Sequence, residues 1–526
     1  GPAHVRVERP RTRRGRLDTP RSGALRAALL SLLWPGAGQL YVGRWHRGVA
    51  FVTVTLGVAV LALVPVTAGP AHVAGLLVRP DVLVAVLVAD LALLAFRLVA
   101  VVDAYRLARA GTRRRRSAAT WVALRQFALP ARPGLRPSPA ARILSLAGLV
   151  AVVAVTALPH VAVGYYDVQA QGLLSEVFPS TAETVETSRP PAVNDSPPSP
   201  LLRRERITVL LAGGDAGPQR VGLRTDTLVV VSLAVSTGEA ALFSIPRNLI
   251  EVPLPRWVKS PWRCQCFPDL INNLYEWAEE NPERVPEGVD PGPAVLTGAI
   301  EELLGLPIDY HVLTDLKGFV EAVDALGGVD VTVSQRIYDQ LDSPSGRGEW
   351  DAIDLRPGRH HLDGRAALVY VRTRRDSSDY ARIDRQRCFL ASLANQADAG
   401  TLLRAFPRLA AVARRSLQTD FPVEALPDLV KLASRVDVRG VATVAFTPPS
   451  YMRDREDGYP VPDVPHIRRT VSAMLRTSPA VTATRPAASP RRDTTSEPPT
   501  SSLSPRARTT PTETPSGPQT IADTCG

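Results

Sequence analysis

The sequence predicts an α/β protein, a β-sheet layered with helices, preceded by transmembrane helices. Short apolar segments such as Arg206-Ile-Thr-Val-Leu-Leu-Ala-Gly-Gly-Asp215 read as buried strands ending in glycine and an acid, which is how an open sheet presents a ligand group at its carboxyl edge. Over 201–476, segments with helical apolar spacing accompany such strands. Upstream, three apolar stretches are long enough to cross a bilayer, since about 20 helical residues at roughly 1.5 Å each cover the hydrocarbon core.

Residues 1–47 form a basic segment, 48–105 hold two transmembrane helices, 106–142 form a basic loop and 143–163 a third transmembrane helix. The spans run about Gly48 to Thr67, Val82 to Val102 and Ile143 to Val163. The first 47 residues carry ten arginines and two acids, 106–142 carry ten arginines and no acid, and Ala68 to Pro80 has only Arg79. By the positive-inside rule the amino terminus and the second loop are cytoplasmic, and everything after about residue 164 lies outside. Before the first span, Leu29 to Arg44 is apolar but broken by Pro35, Gly36 and Gly38, and reads as an interfacial or re-entrant hairpin. Asp90 falls near mid-span. An intramembrane acid is a functional candidate, and the plainer reading is a polar partner inside the helix bundle.

Residues 164–200 read as an extracytoplasmic stalk, helical or extended to about 180, followed by a Pro/Ser/Thr-rich linker from Thr184 to Pro200. The folded domain occupies 201–476. Its helix candidates are Pro293–Leu304, Leu316–Leu326, Gly364–Arg372, Tyr380–Ala397 and Phe421–Ser434, and its further strand candidates include Val329–Val333 and Val441–Phe446. From 477 to 526 the chain is a Pro/Ser/Thr/Arg tail without periodicity, read as disordered. No repeat at solenoid or propeller spacing occurs.

The formal charge of +11 is almost wholly arginine, with lysine only at Lys259, Lys317 and Lys431. With abundant Ala, Val, Gly and Pro, this skew resembles translation from a high-G+C genome such as an actinobacterium's. The basic runs flank spans and lack aromatic interleaving or a helix-turn-helix pattern, which argues against nucleic acid as partner. Cys264, Cys266 and Cys388 fall in the exported part and Cys525 in the tail, a distribution that favours disulfides. Spacing of one residue is poor for zinc and too close for a comfortable bond within Cys264-Gln-Cys266. The expectation is therefore a bond from one of these two to Cys388.

The densest chemistry lies in Leu368 to Arg387, where Arg372, Arg374, Arg375, Arg382, Arg385 and Arg387 surround Asp376, Asp379 and Asp384. Arginine keeps its charge and offers a planar fork that matches phosphate oxygens, so convergent arginines suit a polyanion, whereas a solvated salt-bridged helix face is the alternative. Strand ends upstream add Asp215, Arg224, Asp226 and Arg247. His360 and His361 adjoin a Pro-Gly turn and read as surface loop.

The ordered set Gly214-Asp215, Arg224-Thr-Asp226, Ser244-Ile-Pro-Arg247, Ile271-Asn272 and Arg372-Thr-Arg374, followed by Asp379-Tyr-Ala-Arg382-Ile-Asp-Arg385-Gln386, resembles the LytR/CpsA/Psr family of cell-wall glycopolymer ligases over roughly 205–397. Two departures are Asn248, where the family commonly has an acid, and Ala216-Gly217, where many members place an arginine that here comes only at Arg220. The resemblance implies a mixed central sheet in an α/β/α sandwich, and a membrane enzyme that moves a glycopolymer from a polyprenyl-pyrophosphate carrier onto a peptidoglycan hydroxyl. It implies Mg2+ on Asp215 and Asp226. Arg224, Arg247, Arg374 and Arg382 would clamp the pyrophosphate, Arg372 and Gln386 would complete the shell, and Arg220, Asn272 and Arg385 would contact substrate. Asp379 would orient an arginine or act as base. The lipid tail would need an apolar tunnel, for which Pro293–Leu304 and Leu316–Leu326 serve equally well as walls or as ordinary core. A hydrolase using the same site, or a sensor that only binds the carrier lipid, are the competing functions.

Overall fold

The computed structural model describes residues 22–123, 139–179, 201–215, 223–342, 350–375, 379–396, 398–454, 459–476, 517–521 and 525. They form two units, Gly1–Val73 with Asp81–Val168, and Ala74–Pro80 with Gln169–Gly526.

The first half of the chain is helical: α1 (Ser22–Leu33), α2 (Ala37–Tyr41), α3 (Trp45–Thr67), α4 (Pro70–Leu77), α5 (Pro80–Ala123) and α6 (Pro139–Val177). The segments Trp45–Thr67, Pro80–Ala110 and Ile143–Val177 are long and apolar enough to cross a membrane, and each contains one predicted span. The α6 helix continues to Val177, so the stalk takes the helical of its two expected forms. Leu29–Arg44 is a helical hairpin packed on α5. Its turn needs Gly36, at φ 102°, and at Gly38 an added Cβ would lie 2.1 Å from the Ala27 carbonyl oxygen. Wholly buried Gln39 donates to the Ala100 carbonyl at 2.8 Å and accepts from the Ser31 hydroxyl at 3.0 Å, which satisfies its amide. Asp90 meets a polar partner on the neighbouring helix, His160 Nδ1, at 2.7 Å.

The second unit runs β1 (Arg206–Gly214), β2 (Thr225–Ala234), β3 (Ala240–Ile245), β4 (Val252–Pro253), β5 (Cys266–Phe267), α7 (Leu274–Glu280), α8 (Pro291–Leu304), β6 (Tyr310–Thr314), α9 (Leu316–Leu326) and β7 (Val329–Val333). It continues through β8 (Ile337–Asp342), β9 (Trp350–Leu355), β10 (Gly358–Leu362), α10 (Gly364–Arg372), α11 (Asp379–Gln396) and α12 (Ala399–Ser416). It ends with β11 (Leu417–Thr419), α13 (Leu426–Ala433), β12 (Ala442–Ala445), β13 (Met452–Asp454), β14 (Pro460–Pro462), α14 (Val464–Arg476) and β15 (Gln519–Thr520). The main sheet has the order β11-β6-β1-β2-β3-β12-β15. It is mixed: β1 pairs antiparallel with β2 and parallel with β6, and β3 pairs antiparallel with β2 and parallel with β12. This is the expected α/β class.

Alternation along the strands sorts side chains to two faces. Leu210, Leu228, Val230, Phe243 and Ile245 join the core formed with α7, α8 and α14. Val229, Leu242 and Ala240 face the other way, with Ala391 of α11. Leu303 and Leu304 of α8 are fully buried in the first core, and Val323 of α9 joins a smaller one with β7, β9 and α10. Both candidate tunnel helices thus serve as core.

Capping explains the sharp boundaries of α9 and α10. Asp315 accepts from Gly318 N at 2.6 Å, Asp363 accepts from Ala366 N at 2.8 Å, and Gly327 ends α9 in the left-handed conformation. The predicted Phe421–Ser434 helix shortens to α13 because Pro427 sits at a first helical turn, behind a 3-10 turn at Val423–Ala425.

Two expectations are corrected. Cys264 bonds Cys266, and Cys388 bonds Cys525. Bends at 261–265 draw the Cα atoms of Cys264 and Cys266 to 5.1 Å, within disulfide reach. The sheet separates this pair, beside Phe267 in the first core, from α11 on the opposite face, so Cys388 finds Cys525 instead, at a Cα separation of 5.3 Å. The end of the expected disordered tail is also ordered: Gln519 and Thr520 pair with Thr443 and Ala442 as the seventh strand, and Ile521 is buried behind them. Residues 477–516 lie outside the described residues.

Candidate active site

The site begins where β1 and β2 end. The β1–β2 register shifts between Gly213 and Gly214, and an added Cβ at Gly214 would come 2.2 Å from Leu223 Cδ1. Glycine there lets the loop close tightly. Buried Asp215 then latches the returning strand: its N–H donates to the Arg224 carbonyl at 2.9 Å, and its Oδ1 accepts from Arg224 N at 3.1 Å. The Arg224 side chain stays mostly exposed, with Glu276 at 3.9 Å.

Two residues on, Asp226 Oδ1 accepts from Arg247 Nη1 at 2.5 Å and from Asn272 Nδ2 at 3.3 Å. Arg247 stands where Pro246 ends β3, and its carbonyl accepts from Asn272 N at 3.3 Å. Burial opposes ionisation of Asp226, but the charge and hydrogen bond of Arg247, the Asn272 amide and the charge of Arg382 outweigh it and hold its carboxyl below the usual aspartate range.

Helices α10 and α11 bring the arginine-rich segment over this strand edge. Arg247, Arg372, Arg374, Arg375 and Arg382 line a cavity of about 360 Å³ together with Asp226 and Asp339. Arg382 is buried, whereas Arg374 and Arg375 are exposed at the rim, Arg375 lying 5.4 Å from the centre of the Tyr338 ring. Five arginines against two aspartates make this an anion site, and the exposed rim suits a charged ligand entering from solvent.

Gln386 is buried and donates to Thr227 Oγ1 at 3.1 Å and to the Val371 carbonyl at 3.2 Å, pinning α11 to β2 and α10. Arg385 does not line the cavity. Its guanidinium donates to the Tyr370 carbonyl at 3.1 Å and to the Thr373 carbonyl, holding the end of α10, and burial draws its pKa down. Arg387 is buried against Asp384 and donates to Thr443 Oγ1 at 2.9 Å, so it belongs to the sheet. Arg220 lies outside the described residues, as does the side chain of Asp379, which opens α11.

Asp339 is the cavity residue that sequence reading missed. It lies on β8, where Ile337, Asp339 and Leu341 share one phase of the strand. A carboxylate on an otherwise apolar phase was the available signal.

Among the described residues no three His, Cys, Asp or Glu side chains gather as a metal site. Mg2+ does not require one, since it is usually held by one or two carboxylates with phosphate and water oxygens. Asp215 and Asp226 sit at the ends of paired strands, and Asn272 Oδ1, beside Asp226, is a buried oxygen with no protein hydrogen-bond partner. These are hard oxygen donors of the kind Mg2+ takes.

Residues 174–471 match the model of the LytR_cpsA_psr family. Over 207 residues the chain is 35% identical to the probable cell wall biosynthesis protein LcpB of Corynebacterium glutamicum, covering 39% of this chain and 41% of that protein. It thus spans less than half of that relative's length. Over 263 residues it is 26% identical to the polyisoprenyl-teichoic acid–peptidoglycan teichoic acid transferase TagU of Oceanobacillus iheyensis, covering 48% of this chain and 73% of that protein. The crystal structure of Bacillus subtilis TagV aligns over its whole length with 53% of this chain, at 23% identity and a TM-score of 0.40.

Proposed function

Because the chain belongs to the LytR/CpsA/Psr family, we propose that it is a membrane-anchored transferase that moves a glycopolymer from a polyprenyl-pyrophosphate carrier onto a peptidoglycan hydroxyl. The observation that carries this reading is the cavity in which five arginines face Asp226 and Asp339 at the sheet edge. The name of TagU, a polyisoprenyl-teichoic acid–peptidoglycan transferase, supports this substrate class, and that of LcpB supports a role in cell wall biosynthesis.

A pyrophosphate diester carries two negative charges that repel an attacking hydroxyl, so transfer requires their neutralisation. Arg247, Arg372, Arg374 and Arg382 supply forked donors to the phosphate oxygens. Asp226 aims Arg247, Asn272 steadies Asp226, and Gln386 keeps the helix of Arg382 in place. The acceptor oxygen then forms a bond to the sugar-linked phosphorus while that phosphorus parts from its bridging oxygen. The glycan is left in a phosphodiester link, polyprenyl phosphate departs, and the acceptor proton passes to solvent or to the departing phosphate. Asp215 and Asp226, with the Asn272 amide oxygen, would hold Mg2+, which when bound neutralises further phosphate charge. Three helices long and apolar enough to cross a membrane support anchoring, and the arginine bias of the flanking segments supports a transferase domain outside.

The test is incubation of the full chain with lipid-linked glycopolymer, peptidoglycan and Mg2+. Covalent glycan on peptidoglycan, abolished by Asp226→Ala, is expected. Free phosphorylated glycan alone would make the protein a hydrolase, and lipid binding without turnover a sensor.

A further inference from the structure

Between Arg372 and Arg374, which both line the cavity, sits Thr373, only 1% exposed and anchored at three points. Its N–H donates to the Val369 carbonyl at 2.9 Å, its carbonyl accepts from Arg385, and its hydroxyl donates to Asp339 Oδ2. The first two bonds belong to the end of α10 and the start of α11. The third comes from a different element, the β8–β9 hairpin.

That hairpin is held independently of the arginines. Asp339 pairs with Ile353 across the ladder, so both side chains face the same way. Ile353 and Leu355 are buried against Val369, Tyr370 and Val371 of α10. The carboxylate is thereby carried to the inner face, where it is 6% exposed, while its neighbour Tyr338 points outward at 42% exposed. Both Asp339 oxygens are committed, Oδ1 to Gln340 N at 2.8 Å and Oδ2 to Thr373. A carboxylate with both oxygens so engaged is an anchor.

We infer that Asp339 is a positioning residue for the anion site: through the Thr373 hydroxyl it sets the spacing of Arg372 and Arg374, so that the cavity selects a two-centre anion, a pyrophosphate, over a single phosphate. The inference rests on the pyrophosphate reading of the cavity. Two arginines held at a set spacing meet two phosphates without ordering cost, whereas arginines on an unanchored segment lose rotamer freedom only when both are engaged. A single phosphate asks for no such spacing.

Titration calorimetry of the full chain in detergent, with inorganic pyrophosphate and orthophosphate, tests this. Thr373→Val keeps the shape and removes the hydroxyl, and Asp339→Asn keeps the shape and removes the charge. Each is expected to weaken pyrophosphate about tenfold and orthophosphate less than about twofold. Thr373→Ser should restore binding, and the double variant should be no weaker than either single one. The sign for Asp339→Asn is diagnostic, since removing a negative charge from a cationic cavity would by charge alone tighten both anions. Pyrophosphate affinity within twofold of the parent, equal losses for both anions, or losses that add in the double variant would each overturn the inference. A parent chain that binds orthophosphate but shows no preference for pyrophosphate would remove the spacing argument while leaving the anion site. One that binds neither would remove the proposed function and this inference with it.

Discussion

Arg382 and Arg387 both lie on α11 and are both 3% exposed, yet they serve different ends. Arg382 lines the cavity and lowers the pKa of Asp226, while Arg387 is tied to Asp384 and Thr443. Arg382→Ala should therefore lower kcat/KM by about 10- to 150-fold, the worth of one charge-assisted phosphate contact, with lysine rescuing only part because it lacks the fork. Arg387→Ala should instead cost stability, about 3 kcal/mol in a denaturant titration, because it strands a partly buried Asp384. Exposed Arg408 on α12 is the neutral control. Asp226 yields a pH signature. Its folded pKa is depressed, so its contribution to stability is complete above the ordinary aspartate pKa of about 3.9 and is lost as pH falls through the lower folded value. Thermal melts of Asp226→Asn and the parent should differ at neutral pH and converge in acid; a gap that widens in acid would contradict the assigned ion pair with Arg247.

At the scale of elements, the two disulfides make a contrast that reduction can read. Cys388–Cys525 spans 137 residues and Cys264–Cys266 only 2. In the chain-entropy model the long ring could add up to about 5 kcal/mol and the short one far less, so Cys525→Ser should lower the melting temperature well beyond Cys264→Ser with Cys266→Ser. Neither pairing was legible in the sequence, because spacing says nothing of which sheet face a cysteine occupies. Elements with a cap and a clear period were legible: Leu316–Leu326, Gly364–Arg372 and Val329–Val333 coincide with α9, α10 and β7. Helix α12 was missed because Pro407 and its arginines interrupt the apolar stripe, although Asp398 caps it with bonds of 2.8 and 3.1 Å. The β8–β9 hairpin was missed because Asp339, Gln340 and Asp342 dilute its alternation, and with it went the anchor of Thr373. Of the arginines expected to form a clamp, Arg247, Arg374 and Arg382 line the cavity, whereas Arg224 stays mostly exposed and does not. What the sequence could not separate is Arg382, which faces the cavity, from Arg385 and Arg387, which hold backbone and sheet.

For the whole molecule, the arginine bias before residue 48 and over 106–142 predicts, by the positive-inside rule, that both segments are cytoplasmic. A phosphatase reporter fused after residue 205 should be active outside the membrane, and a reporter that works only in cytoplasm should be active near Gly111; the reverse pattern would overturn the orientation. The covalent ring also has a bearing on how the chain meets a protease. Helices α12 to α14 and the segment 477–516 all lie between Cys388 and Cys525. A protease that cuts the chain once anywhere between Arg476 and Gly517 would therefore release nothing: the last strand would stay on the sheet, and the nicked chain would migrate as one species until a reductant divides it in two.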